Sequence, residues 1–288
     1  MKSTQKTKAI VLRSLDYGES DRILTFLTDE FGKLKGIAKG ARRSKRRFAN
    51  ALEPFSLTTL LFSRRGRGGL AFIEGSDVIR HFAGIREDLD RTLVAACVAE
   101  LAEHFSVEGK KNLPLFDLLT DFLDLIESGR MTEAAERFFE LRLLKTAGFE
   151  PVLDRCVTCG APLEGIESPR FDCREGGIRC ARCAVNSPDF IPVSAGTLRT
   201  LLMGRDIDFE RMPRVGLSGP MAREGREILG CFIRHLTGRE LKSVSVLSDT
   251  ALRSHDLWKA LGNTLFFVLV GGPLSVAVSL AAALLVTS

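Results

Sequence analysis

The sequence lacks the motifs by which most nucleotide- and metal-using enzymes are recognised. It has no GxxxxGKS/T, so it is not a P-loop nucleotidase. The GRGGLA that begins at Gly66 is not a GxGxxG. No His-x-Glu precedes either CxxC pair, and neither pair reads Pro-Cys, so the zinc deaminase pattern fails. Histidine is scarce: His81, His104, His235 and His255 form no motif and read as ordinary core or surface residues. No nucleophile elbow is present. Nothing in the chain gives a positive reason to expect an enzyme. It also has no internal repeat and no low-complexity tract. The apolar run at residues 9–12 is far too short for the core of a secretory leader. The expected setting is therefore a reducing cytoplasm, where paired cysteines mean metal or redox chemistry rather than structural disulfides.

Charge is present but uneven. The 288 residues carry a net +5. Residues 1–80 hold +9, residues 81–150 hold −6, and the remainder holds +2. A basic first segment followed by an acidic one suggests a polyanion partner for the first. The 45% hydrophobic content is enough for a real core.

Hydrophobic periodicity divides the chain. Residues 7–15, 22–28, 33–38, 55–62 and 69–76 are short β-rich runs. Turn-like YGES, EFG and RRGRGG stretches separate some of them. Five short strands in so few residues fit a small barrel, and the OB-fold is the common one. Such barrels often place a helix between the third and fourth strands, here residues 39–54. From about residue 84 the period becomes helical, in DLDRTLVAACVAELAEHF, LFDLLTDFLDLIESG and MTEAAERFFELRLLKTAG. Thr132, Gly129 and Gly148 mark helix ends. Helical patterns return at residues 195–203 and 221–236. The expectation is an α+β multidomain chain. Residues 1–80 form an N-terminal OB-fold β-barrel that binds nucleic acid, and residues 81–150 an α-helical domain. Residues 151–192 form an inserted zinc ribbon with four cysteine ligands. Residues 193–250 are helices completing the helical domain, and 251–288 an atypical tail. In that tail, residues 265–286 carry no charge over a length that would span a bilayer.

Lys33, Lys35, Lys39, Arg42, Arg43, Lys45, Arg46 and Arg47 are eight cations in fifteen residues with no acid among them. As a helix, the block would put residues 39, 42, 43, 46 and 47 on one face. A solvated surface helix usually mixes signs, because like charges four residues apart repel. An unmixed face fits phosphates, which would relieve that repulsion. These residues are the candidate nucleic-acid contacts. Phe31 and Phe48 flank the block and are either core residues or platforms for stacked bases.

Cys156-Val-Thr-Cys159 and Cys180-Ala-Arg-Cys183 are two CxxC knuckles with 20 residues between them. A soft cation such as Zn²⁺ favours four thiolates in a tetrahedron, and each knuckle offers two. The spacing matches a zinc ribbon. A degenerate ribbon with free thiols and a redox site are the other readings. Four thiolates leave no open position for catalysis, so the metal would be structural. Arg155, Arg179 and Arg182 flank the ligands; they either offset the zinc-thiolate charge or contact nucleic acid. Cys97 and Cys231 read as core residues and Cys173 as a spectator.

The segment VLRSLDYGESDRILTFLTDEFGKLKGIAKGARRSKRRFANALEPF resembles the opening of the bacterial RecO family. The YGESD turn, the T-x-E-x-G-K-L step, the KGARR block and L-x-P-F fall in order. The similarity runs on through FFELRLLKTAGFEP and CVTCG, from about residue 5 to about 245; the final residues depart from it. The resemblance implies a non-enzymatic DNA repair and recombination mediator with an OB-fold, a helical domain and a zinc ribbon. It implies binding of single- and double-stranded DNA and annealing of complementary strands. It further implies loading of RecA, with RecR, on strands coated by the single-stranded DNA-binding protein SSB. Localisation would be cytoplasmic and nucleoid-associated, with no membrane partner despite the apolar tail. The residues alone leave two rivals: a zinc-ribbon RNA-binding or transcription factor, and a membrane-anchored interaction protein.

Overall fold

The computed structural model describes residues 4–44, 46–64, 69–184 and 190–239. Lys45 and the apolar stretch at 265–286 lie outside the described residues.

Five strands close a barrel. They are β1 (Thr4–Tyr17), β2 (Asp21–Thr28), β3 (Gly32–Ala38), β4 (Leu57–Ser63) and β5 (Ala71–Arg80), in the order β1-β2-β3-β5-β4. Four of the pairings are antiparallel, and β3–β5 is parallel. This is the OB arrangement. Period-2 alternation turns Leu24, Phe26, Leu34, Leu60, Phe62 and Ile73 into a dry interior. A register shift between Val11 and Arg13 lets the long β1 serve both β2 and β4.

The segment between β3 and β4 is not a helix among the described residues; it is a run of turns and bends. Gly40 sits at φ 68, in the left-handed region, which ends any helical run at its start. Its N–H donates to Asp21 Oδ1 at 2.8 Å, and Arg42 N–H donates to the Ser20 carbonyl at 3.0 Å. The segment is thereby tied to the β1–β2 turn. Phe48 and Leu52 then plug the barrel interior.

Helices follow at α1 (Ala83–Glu87), α2 (Leu89–Phe105), α3 (Leu113–Glu127) and α4 (Glu133–Ala147). Asp88, Asn112 and Thr132 each accept an N–H in the first turn of α2, α3 and α4, and Gly148 closes α4 at φ 86. A small sheet interrupts the helices: β6 (Val152–Cys156), β7 (Arg170–Asp172), β8 (Gly177–Arg179) and β9 (Ile191–Pro192), in the order β6-β8-β7-β9. Then come α5 (Ala195–Asp206) and α6 (Gly219–Thr237).

One apolar cluster joins these parts. Ile10, Leu12 and Leu27, on the outer wall of the barrel, share it with Val98 and Leu101 of α2, Phe122 of α3 and Phe139 of α4. Phe122 and Phe139 stack with centroids 4.5 Å apart. Leu153, Phe171 and Ile178 of the small sheet, and Leu163 of the segment between β6 and β7, belong to the same cluster. At Gly32, φ is 61, and an added Cβ would strike the Lys110 carbonyl of the α2–α3 loop. Only glycine lets barrel and helices meet there.

The cysteines bring one reversal. Cys173 and Cys231, expected as a spectator and a core residue, are disulfide-paired with Cα atoms 5.7 Å apart. Cys97 is buried on α2, as expected.

Candidate nucleic-acid interface and metal centre

The basic block lies across one end of the barrel, against the β1–β2 turn. Lys35, Lys39, Arg42, Arg43, Arg46 and Arg47 are all exposed. The block has no acid of its own, but the fold supplies some. Arg42 Nε lies 3.4 Å from Asp16 Oδ2, and Arg43 Nη2 lies 3.5 Å from Glu19 Oε2. Both pairs are open to solvent, where such contacts are weak. Arg47 Nη2 donates to the Lys39 carbonyl at 3.0 Å, and its guanidinium lies over the Phe48 ring. Among the described residues no ion pair engages Lys35, Lys39 or Arg46. Lys33 stands apart from the group. Its ammonium donates to the Glu103 carbonyl at 2.7 Å at the junction with α2, and burial lowers its pKa.

Phe31 and Phe48 are core residues. Phe48 is 4% exposed, and Phe31 packs edge-on against Phe62, centroids 5.3 Å apart. On the outer face of the barrel Leu15 and Tyr17 are exposed, beside the half-buried Ile23, Ile37 and Phe72. Register places Leu15 opposite Ile23, Ile23 opposite Ile37, and Ile37 opposite Phe72, a row across β1, β2, β3 and β5. Leu15 is 50% exposed, and Tyr17, two residues along the same face of β1, is 56% exposed. In the next row, Arg13 lies opposite Thr25 and Thr25 opposite Lys35, both cations exposed. A cationic row beside an apolar row, next to the basic block, is what a single strand needs: charge for phosphates and flat apolar surface for bases. The sequence alone could not reveal it, because the row exists only once the register of four strands is known.

The two knuckles converge. Cys156 ends β6, Cys180 follows β8, and Cys159 and Cys183 sit in the turns after them. The four Sγ atoms all lie within 4.8 Å of one another, and Cys159 Sγ is 3.8 Å from Cys180 Sγ. Tetrahedral thiolates about 2.3 Å from a zinc ion would be about 3.8 Å apart. Burial pushes the Cys156 thiol up. The backbone N–H groups of Cys159, Cys180 and Thr158 outweigh it and bring Cys156 down to about 6. Cys183 is pushed up to about 12 by its contacts with Cys180 and Cys159. A cluster of this kind crowds negative charge as it ionises and can bind a metal cation that offsets part of it.

The flanking arginines are largely committed. Arg179 Nε donates to Asp172 Oδ2 at 2.8 Å and its Nη1 to Thr158 Oγ1 at 2.6 Å. Arg155 Nη1 lies 3.4 Å from Asp154 Oδ2. Arg182 is exposed on the second knuckle. Among the described residues no helix is long and apolar enough to cross a membrane.

The fold is thus an OB barrel with a cationic end, joined to a helical body that carries a four-cysteine ribbon. Residues 1–82 match the family described as Recombination protein O N terminal, and residues 86–245 match Recombination protein O C terminal. The chain is 48% identical over 250 residues to a DNA repair protein RecO of Syntrophus aciditrophicus (strain SB), covering 86% of this chain and 96% of that one. It is 42% identical over 244 residues to a DNA repair protein RecO of Anaeromyxobacter sp. (strain K), with 85% and 96% covered. It is 37% identical over 250 residues to a DNA repair protein RecO of Geobacter metallireducens, with 86% and 98% covered. The chain belongs to the RecO family of DNA repair proteins.

Proposed function

We propose that this protein is a recombination mediator that binds single- and double-stranded DNA, anneals complementary strands, and performs no covalent step. With RecR as partner, it helps load RecA on strands coated by SSB, on the nucleoid in the cytoplasm. The barrel at residues 1–80 is the DNA-binding domain. Residues 81–150 and 193–250 form the helical body, and residues 151–192 form the inserted ribbon. Lys35, Lys39, Arg42, Arg43, Arg46 and Arg47 hold phosphates, together with Lys45 and with Arg13 on the barrel wall. Cys156, Cys159, Cys180 and Cys183 hold a structural Zn²⁺ that braces the ribbon.

The single observation that carries this reading is the exposed cationic end of an OB barrel in a RecO-family chain. Two strands anneal slowly because their phosphates repel. A protein surface that replaces condensed counterions on both strands lowers that repulsion and leaves the base edges free to pair. The adjacent apolar row offers bases a temporary surface before they find a partner.

An annealing assay on complementary strands coated with SSB tests this. Annealing faster than the protein-free rate, and faster still with RecR, is the expected result. Binding to RNA in preference to DNA, with no annealing, would replace it with a zinc-ribbon RNA-binding role.

A further inference from the structure

Cys173 and Cys231 belong neither to the metal cluster nor to the DNA-binding surface. Cys173 opens the turn between β7 and β8, and Cys231 lies on α6, 58 residues away. Their Cα atoms are 5.7 Å apart, within the range that a disulfide spans. The surrounding packing holds them together independently of any bond. Asp172 Oδ1 accepts the N–H groups of Arg174 at 2.9 Å and Glu175 at 3.2 Å, which fixes the turn. Gly176 sits at φ 65, pressed so closely on Phe232 of α6 that an added Cβ would strike the ring. Phe171 meets the same ring edge-on, centroids 6.2 Å apart. The Asp172 hydrogen bonds hold the turn in shape, and two contacts, Gly176 and Phe171 on the Phe232 ring, seat it on α6 and bring the two cysteines face to face. Both cysteines are half-buried, so a small thiol reagent can reach them.

We propose that Cys173 and Cys231 are a reversible thiol–disulfide pair, a modification site that staples the metal ribbon to α6. With glutathione disulfide as oxidant, one protein thiolate attacks a glutathione sulfur and displaces one glutathione thiolate. The second protein thiolate then attacks the mixed disulfide, forms the Cys173–Cys231 bond and releases the second glutathione. Two electrons pass from the protein to glutathione, and two protons leave the protein thiols. The staple matters most when oxidation or chelation empties the metal cluster. The ribbon then loses its own cross-link, and the covalent tie to α6 keeps it seated.

The test uses the full chain loaded with Zn²⁺ and equilibrated in buffers of graded reduced-to-oxidised glutathione ratio. Trapping with an alkylating agent and non-reducing tryptic mapping should show the peptide FDCR joined to EILGCFIR, and dithiothreitol should separate them. In a second measurement, chelator and trypsin are added together. Oxidised wild-type protein should lose the ribbon several-fold more slowly than reduced protein. Cys231→Ser and Cys173→Ala, made separately, should each abolish that difference. The absence of the linked peptides at every glutathione ratio would overturn the proposal, and that result does not depend on either variant folding. Linked peptides with equal trypsin sensitivity in both states would overturn the staple role.

Discussion

The barrel and the ribbon solve the same problem in opposite ways. Each is a small β unit with little chain to bury. The barrel closes on itself, so its strands leave no edge and its interior fills with Leu24, Phe26, Leu34, Leu60 and Phe62. The ribbon has strands of 5, 3, 3 and 2 residues, too short to enclose anything. Its Leu153, Leu163, Phe171 and Ile178 are buried only because they join the core of the helical body. Its remaining order would come from cross-links: the metal proposed for the four-cysteine cluster and the Cys173–Cys231 pair. One unit is held by burial and the other by bonds, so they should fail under different insults.

The largest expected effect is therefore chemical removal of the ribbon. Structural zinc is worth on the order of 10–16 kcal/mol in finger peptides, more than the ~5–15 kcal/mol that holds a typical domain. Replacing Cys156 and Cys159 with Ser should abolish zinc binding and unfold residues 152–192, while the barrel keeps most of its DNA affinity. Zinc content, hydrogen exchange and a DNA titration on the same sample read all three. A wild-type protein without zinc and indifferent to chelator would remove the contrast.

The reciprocal experiment empties the barrel. Phe62→Ala should cost about 3–5 kcal/mol, because Phe62 is fully buried and the closed wall cannot collapse around the hole. DNA binding should fall with barrel stability while zinc content holds. A Phe62→Ala variant that loses zinc along with DNA binding would show that the two units fail together.

Charge comes next. Neutralising Arg42, Arg43, Arg46 and Arg47 should reduce the slope of log K against log salt by roughly 3–4 units on duplex and about 3 on single strands. An unchanged slope in a folded variant would leave the block as mere solvated surface. A smaller loss is expected at Tyr17→Ala, about 1–3 kcal/mol on single strands and almost none on duplex, since stacking needs an unpaired base. Equal losses on both substrates would place Tyr17 outside the single-strand path.

Local chemistry made much of this legible in the sequence. Thr132 and Gly148 bracket α4 as side-chain and left-handed caps should, and the two CxxC pairs meet as their spacing requires. What stayed hidden depended on distance along the chain. Among its described residues the block at 39–47 is not helical, because Gly40 is left-handed and held by Asp21, nineteen residues earlier. Its apparent lack of acids disappears when the fold brings Asp16 and Glu19 alongside. Lys33 reads in the sequence as one of the basic block; in the fold its ammonium donates a hydrogen bond to the carbonyl of Glu103, seventy residues on. Cys173 and Cys231 are separated by 58 residues and share no motif. The Leu15–Ile23–Ile37–Phe72 row required the pairing of four strands.

The acidic turn beside the cationic block has a kinetic meaning. Asp16 and Glu19 pair with Arg42 and Arg43; in the proposed DNA-binding mode an arriving phosphate would have to displace them, and a departing one would find them ready to return. Each pair is worth only about 0.2–1 kcal/mol, too little to prevent binding. It is enough to shorten residence time by a small factor, through faster exchange at the edge of the footprint. A mediator of the proposed kind, which carries a strand to its complement, must also let go of it. Glu19→Gln should hold DNA slightly longer and complete fewer annealing cycles per molecule, which stopped-flow dissociation and turnover counts would resolve.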